Sequence, residues 1–195
     1  LEVERPYILF VGDAEKSHKN LDSVVQAYAR ARSLADIEAP LICIGAREGS
    51  DFKILQRSRQ LGVGDQVRLL GNVASEALPA LYQGATLFLY PTLYEGSGLP
   101  IVEAMCSGVP VVTSNTATLR EIGEGYAHMI SPLGIEEIAD AIAHCMTDAD
   151  HRKALAKLGK RRAQDFSWER TAQRTLDIYE AVLRQGGARR LEAAS

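Results

Sequence analysis

Glu95 and Glu103, with seven residues between them, bracket a glycine pair and a proline in the stretch "LYEGSGLPIVEAM", Leu93 to Met105. Gly96 and Gly98 let a backbone turn tightly and approach a ligand without side-chain hindrance. Pro100 suits the first turn of a helix, whose unpaired N–H groups and positive dipole end attract an anion. A diphosphate fits that description. A second loop, "GDAEKSHKN" from Gly12 to Asn20, offers Lys19, with His18 and Lys16 close by, as the side-chain charge that a backbone cradle lacks. Glu103, about one turn into the helix, is placed to accept hydrogen bonds from a ribose, as acidic residues do in other nucleotide-binding α/β folds. Glu95, on the turn itself, would face whatever is attached beyond the phosphates. The two carboxylates together suggest a nucleotide carrying a hydroxyl-rich group.

Each of these residues has a plainer role. Lys19 on a surface loop is ordinarily a solvated charge, and Glu95 in a turn ordinarily faces water. Glu103 near a helix start could merely complement the dipole, a contribution of about 0.3–1 kcal/mol. Only the combination with the glycines and the proline is specific. It is not a dinucleotide fingerprint, because the glycine pair follows the fourth apolar run rather than the first and the third glycine is missing. No G-x-x-x-x-G-K-[ST] phosphate loop occurs either.

The elements that would position these loops are legible as apolar runs alternating with helical periods. Six strands are expected, at residues 7–11, 40–44, 66–70, 86–90, 109–113 and 127–130, separated by helices near 21–34, 52–61, 76–83 and 100–107. Ser75 is a candidate helix cap, and Gly108 closes the helix that Pro100 opens. After residue 130 the pattern is helical only, with segments from about 135, 150–166 and 168 onward, the last capped by Ser167. Strands this apolar on both faces imply a parallel sheet covered on both sides. Right-handed crossovers then give an α/β, doubly wound, Rossmann-like parallel six-stranded sheet of order 3-2-1-4-5-6, with additional C-terminal helices. Ligands bind where that winding reverses, between the first and fourth strands, and the two loops above would face each other there.

Composition narrows the field. With 22 Lys and Arg against 25 Asp and Glu, net charge −3, the chain has no basic excess to neutralise a phosphate backbone, so a nucleic-acid partner is not expected. Cys43, Cys106 and Cys145 each lie in an apolar run and read as buried free thiols. His18, His128, His144 and His151 show no ligand-like spacing, and no metal is expected. No apolar run reaches the roughly 18 residues of a membrane span. The basic run 151–162 has two readings: contact with an anionic membrane surface, or more simply a helix that packs through Ala154, Leu155 and Leu158. Trp168 and Tyr179 are expected to pack. The tail 186–195 has no core residues and reads as flexible, leaving residues 1–185 as one domain. The chain opens without a methionine, almost directly into a strand, which reads as a segment of a longer protein.

The residues that raise the question also carry a resemblance. Glu95 and Glu103 in "EGSGLPIVE" match the E-x7-E signature of retaining glycosyltransferases with the two-domain GT-B fold, and "LYEGSGLPIVEAMCSGVPVVTSN" resembles family 4 of those enzymes over its whole length. The resemblance extends through "YILFVG", "HKNL", "LGVGDQVRLLGNV", "LYQGATLFLYPT", "IEEIADAI" and "FSWERTAQRTLDIYEAVL". It implies that this is the C-terminal, donor-binding domain, with acceptor groups on an N-terminal domain outside the chain. By the same resemblance Glu103 holds the ribose, Glu95 the donor sugar, and the backbone at Gly96, Ser97, Gly98 and Leu99 the sugar and phosphates. Lys19 holds the diphosphate with Gly12 and Lys16 beside it, and the segment from Gly71 through Asn72 to Val73 borders the base. Catalysis, assigned to Glu95 and Lys19, would be metal-independent and retaining, with no cofactor beyond a GDP- or UDP-sugar substrate.

The chain departs from the family pattern at three places. Asp13 or His18 stands where an arginine is common, Ser97 where an aromatic residue is frequent, and "SNTATLRE" where a glycine pair often follows strand five. That last segment is closer to variants associated with mannosyl- and rhamnosyl-type transfer, which favours a GDP-mannose-type donor. The acceptor implied is a glycan or glycolipid, the location the cytoplasm or the inner face of the cell membrane, and the isolated domain should transfer little. A non-catalytic nucleotide-sugar-binding module and another GT-B enzyme, such as a nucleotide-sugar epimerase, are the alternatives.

Overall fold

The structure is a computed structural model that describes residues 3–14, 16–45 and 51–192. It contains β1 (Ile8–Val11), α1 (Leu21–Leu34), β2 (Leu41–Ile44), α2 (Asp51–Gln60), β3 (Val67–Leu69), α3 (Leu78–Gly84) and β4 (Leu87–Tyr90), followed by α4 (Leu99–Ser107), β5 (Val111–Ser114), α5 (Ala117–Gly123), β6 (His128–Ile130), α6 (Ile135–Thr147), α7 (Ala149–Ala163) and α8 (Trp168–Glu192). The chain divides into two compact units, Leu1–Ala163 and Gln164–Ser195.

The six strands form one parallel sheet in the order β3-β2-β1-β4-β5-β6, the arrangement that the apolar runs imply. Ile8 pairs with Leu41 on one side and Leu87 on the other, so β1 is central. Of the four inner strands only Val11, at the end of β1, is not fully buried, whereas both edge strands are three residues long and partly exposed. Burial on both faces is what Ile-Leu-Val-Phe runs without alternation require. Helices α1, α2 and α6 pack together over one face, and α3, α4, α5 and α7 over the other. The two groups follow from right-handed crossovers that progress outward in opposite directions from β1 and β4.

Several local expectations are corrected. Helix α5 occupies part of a segment that carries no strong helical period; it is a single short stretch whose Leu119 and Ile122 are buried. Ser75 does not cap α3 but opens a 3-10 turn, Ser75–Ala77, and no side chain caps the helix, which starts at Leu78 with a proline in its first turn. Helix α7 ends at Ala163 rather than 166 and packs through Leu155, Gly159 and Ala163; Ala154 is exposed and Leu158 is partly covered, at 37% exposure. Gly159 allows this close approach, since a Cβ there would lie 3.0 Å from Met105 Cγ on α4. Cys106 is exposed on the outer side of α4, while Cys43 and Cys145 are buried as expected. Within the second unit, Ser167 accepts a 3.1 Å hydrogen bond from the Arg170 amide as a helix cap, and Trp168 and Tyr179 are exposed in this chain. Helix α8 runs from Trp168 to Glu192.

One residue ties the loops at the carboxyl ends of the strands together. Asn20, in the left-handed conformation at φ 62°, precedes α1 and donates from Nδ2 to the carbonyls of Pro91 (2.9 Å) and Pro132 (2.7 Å). The loops after β1, β4 and β6 are thereby held to one side chain. Asparagine tolerates the left-handed region, and two carbonyl partners require the nitrogen on that side of the amide. Asn20→Asp keeps the backbone preference but turns a donor into an acceptor facing two carbonyls. Its expected cost is about 2–3 kcal/mol of unfolding free energy, read from urea denaturation; a change below about 0.5 kcal/mol would count against this role.

Candidate functional site

The loops after β1 and β4 meet as the topology demands. The Leu93 amide donates to the His18 carbonyl at 2.8 Å, and Lys19 Nζ lies 2.7 Å from Glu95 Oε1. This ion pair is largely withdrawn from solvent, with side-chain exposures of 15% for Lys19 and 11% for Glu95. Lys19 also donates to the Tyr90 hydroxyl at 2.8 Å, and that hydroxyl donates to the same Glu95 oxygen at 2.7 Å. Three polar groups thus close a triangle across the boundary where the winding reverses. The Glu95 carbonyl accepts from Thr118 Oγ1 at 2.9 Å, so α5 fixes the backbone behind the carboxylate.

Tyr90 is the member of this triangle that sequence reasoning missed, because the run "LFLYPT" reads as a core strand. Its ring is core: it stacks on Phe88 with centroids 5.5 Å apart and lies against Phe10 at 6.2 Å. Its hydroxyl is not. Tyr82 on α3 repeats the pattern, packing edge-on to Phe88 at 5.2 Å while its hydroxyl donates to Glu103 Oε2 at 2.9 Å. One aromatic row therefore carries two phenols, each donating to one of the paired glutamates. Burial, then the Glu95 carboxylate it donates to, raises the Tyr90 phenol far above its ordinary range; burial, then the Glu103 charge, does the same to Tyr82. Both remain neutral donors. A terminal aromatic residue on a strand that leads into a charged glycine turn is the signal that would have found Tyr90.

Gly98 precedes α4 at φ 66°, a conformation that costs a residue with Cβ, and a Cβ there would also lie 2.9 Å from Ile122 and 3.0 Å from Leu119. No side chain caps α4 and no acidic residue occupies its first turn, so its positive end is open to an anion. Around Gly96 an added Cβ would meet nothing within 4 Å, and Ser97 and Leu99 are exposed, so this turn faces open space rather than packed protein. Gly12 continues from β1 and sits against the Lys19 stem, where a Cβ would be 3.3 Å from Lys19 Cδ.

Other residues do not join the triangle. Lys16 is exposed and makes no contact with Glu95 among the described hydrogen bonds. Glu103 is exposed and held by Tyr82 rather than by Lys19. Asn72 and Val73 follow β3, at the same end of the sheet but two strands away from β1. Buried Thr92 Oγ1 and Thr116 Oγ1, in the loops that leave β4 and β5, find no hydrogen-bond partner, the kind of orphan that bound water or ligand commonly satisfies.

Residues 1–162 match the family model for group 1 glycosyl transferases. The chain belongs to that family. Among curated relatives, the O-antigen chain mannosyltransferase B of Escherichia coli is 35% identical over 179 residues, covering 90% of this chain and 46% of that protein. The MMP α-(1→4)-mannosyltransferase of Mycolicibacterium hassiacum is 31% identical, covering 92% and 44%. The chain thus spans less than half the length of these two relatives. Sucrose-phosphate synthase from Thermosynechococcus elongatus superposes with a TM-score of 0.82 at 26% identity, covering 95% of this chain and 47% of that one. Anabaena HepE, solved with UDP and glucose, shares the fold at a TM-score of 0.80, 22% identity, and coverage of 90% and 48%. The α/β architecture is accordingly the C-terminal Rossmann-like half of a GT-B fold. No helix among the described residues is long and apolar enough to cross a membrane.

The buried phenols make stability depend on alkaline pH. The unfolded chain releases these protons near pH 10, while the folded chain retains them, so stability present below pH 10 is lost as pH rises above it. Urea unfolding of Tyr90→Phe or Tyr82→Phe should show a loss shallower than the parent by up to about 1.4 kcal/mol per pH unit above pH 10. Equal slopes for parent and both variants would contradict the assignment.

Proposed function

We propose that this chain is the nucleotide-sugar-binding half of a retaining, metal-independent hexosyltransferase that uses a GDP-mannose-type donor and delivers the sugar to a glycan or glycolipid. The observation that carries the reading is the Lys19–Tyr90–Glu95 triangle placed before the uncapped start of α4. The mannosyltransferases among the relatives support the sugar, and the "SN" segment after β5 supports the same class.

Lys19 and Glu95 satisfy each other in the structure. A nucleoside diphosphate sugar would divide them: the diphosphate takes Lys19 and the amides at Gly98 and Leu99, and the sugar hydroxyls take Glu95. As the bond from the sugar carbon to the diphosphate oxygen breaks, negative charge grows on that oxygen. Lys19 and the α4 dipole stabilise it in a site where water is partly excluded. Tyr90 then acts as a positioning residue, holding the Glu95 oxygen when Lys19 turns toward phosphate. Glu103, steadied by Tyr82, accepts from the ribose hydroxyls. Gly12 leaves room for the Lys19 stem, Lys16 adds charge at the rim, and Asn72 and Val73 border the base. The acceptor side belongs to an N-terminal domain, and closure of the two domains completes the site. The protein would work in the cytoplasm, with peripheral contact at the membrane where its acceptor is a lipid.

Calorimetric titration of this domain with GDP, UDP and ADP, each with and without its sugar, tests the proposal. GDP-mannose should bind most tightly, and Lys19→Ala and Glu103→Ala should each weaken it by about tenfold or more, the loss of one charge-assisted hydrogen bond. Binding that neither substitution alters would refute this site, and preference for UDP-glucose would refute the donor. The domain alone should bind donor yet transfer little, a point that a radiolabelled-sugar transfer assay reads directly.

A further inference from the structure

Far from the donor site, the fold collects the histidines that sequence spacing left apart. His128 opens β6, Cys145 lies on α6 and His151 on α7, and their candidate ligand atoms all fall within 4.8 Å of one another. His128 stands at the amino end of its strand, whereas the Lys19–Glu95 pair stands at the carboxyl ends of β1 and β4. In a parallel sheet these are opposite ends, so the cluster has no part in sugar transfer.

We propose that His128, Cys145 and His151 form a structural site for a divalent late transition metal, Zn²⁺ foremost. His128 Nδ1 and His151 Nε2 are 3.3 Å apart. Two nitrogens bound to one tetrahedral Zn²⁺ at about 2.0–2.1 Å are separated by about 3.3–3.4 Å, so this edge of the polyhedron already exists. A hydrogen bond between imidazoles would account for that distance, but it would not call for a buried thiol beside them. Two imidazoles and a thiolate select Zn²⁺ or its neighbours over Mg²⁺ and Ca²⁺, which prefer oxygen.

The ligands' backbones are fixed beforehand. Arg152 donates to the Cys145 and Met146 carbonyls at 2.6 and 2.8 Å, and Asp148 Oδ1 accepts from the His151 amide at 2.8 Å, which locks the turn between α6 and α7. On binding, the Cys145 S–H proton passes to solvent and the sulfur becomes a thiolate ligand. Water takes the fourth position. His144, whose ring centroid is 4.3 Å from that of His151, flanks it.

The test is titration of the metal-free, tag-free chain with Co²⁺, in a Cys106→Ala background that removes the exposed thiol. One equivalent should give tetrahedral visible bands and a thiolate-to-cobalt charge-transfer band, both displaced by Zn²⁺. Cys145→Ala should abolish the charge-transfer band, and His151→Gln, which alters only a half-buried side chain, should weaken Co²⁺ binding by at least about tenfold. Zn²⁺ at about 100 times its Kd should raise the thermal midpoint by roughly 5–10 °C. A missing charge-transfer band, a band that survives Cys145→Ala, affinity unchanged by His151→Gln, or no rise in the midpoint would each overturn the site.

Discussion

The winding of the sheet reverses between β1 and β4, and the loops at the carboxyl ends of those strands depend on that reversal. Two neighbouring strands send their chains to opposite faces, so no helix covers the gap between their carboxyl ends. The loop carrying Lys19 and the loop carrying Glu95 are left to cover it themselves. They do so with one ion pair, 2.7 Å long and mostly hidden from water. Such a pair is weak support for a fold, since two charges lose hydration to make it. Under the proposed function the pair is two donor-binding groups held in place by each other.

Holding them requires the rest of the domain. The aromatic row of Phe10, Tyr90, Phe88 and Tyr82 runs through the core from β1 to α3, and its two hydroxyls emerge at Glu95 and Glu103. Core packing and site geometry are therefore one structure: a shift of Phe88 moves both carboxylates' donors. Asn20 binds the loops after β1, β4 and β6 together, and Thr118 fixes the backbone of Glu95 from α5. Gly98 then turns the chain so that α4 starts where the loops meet.

The sequence made much of this readable, for unequal reasons. All six strands were visible because doubly covered strands are apolar without interruption. The order is the usual one for a doubly wound sheet with right-handed crossovers. Glu95, Gly98 and Lys19 stood out because charges and glycines in loops have few structural duties to disguise them, and Glu103, on α4, because of its spacing from Glu95. Tyr90 and Tyr82 were hidden by their rings, which serve the core while the hydroxyl serves the site. Helix α5 was hidden by its brevity, and Cys106 by an apolar neighbourhood that turned out to line only one side of α4. His128, Cys145 and His151 could not be joined by any local period, since they come from a strand and two helices that meet only in the folded domain.

The central claim is that Lys19 and Glu95 part to admit a nucleoside diphosphate sugar at the start of α4. A crystal structure of this domain with GDP-mannose tests it most directly. The account predicts the diphosphate between Lys19 Nζ and the amides of Gly98 and Leu99, the sugar against Glu95, and Tyr90 still bonded to the carboxylate. Donor bound elsewhere on the sheet, with the Lys19–Glu95 pair unbroken, would contradict it.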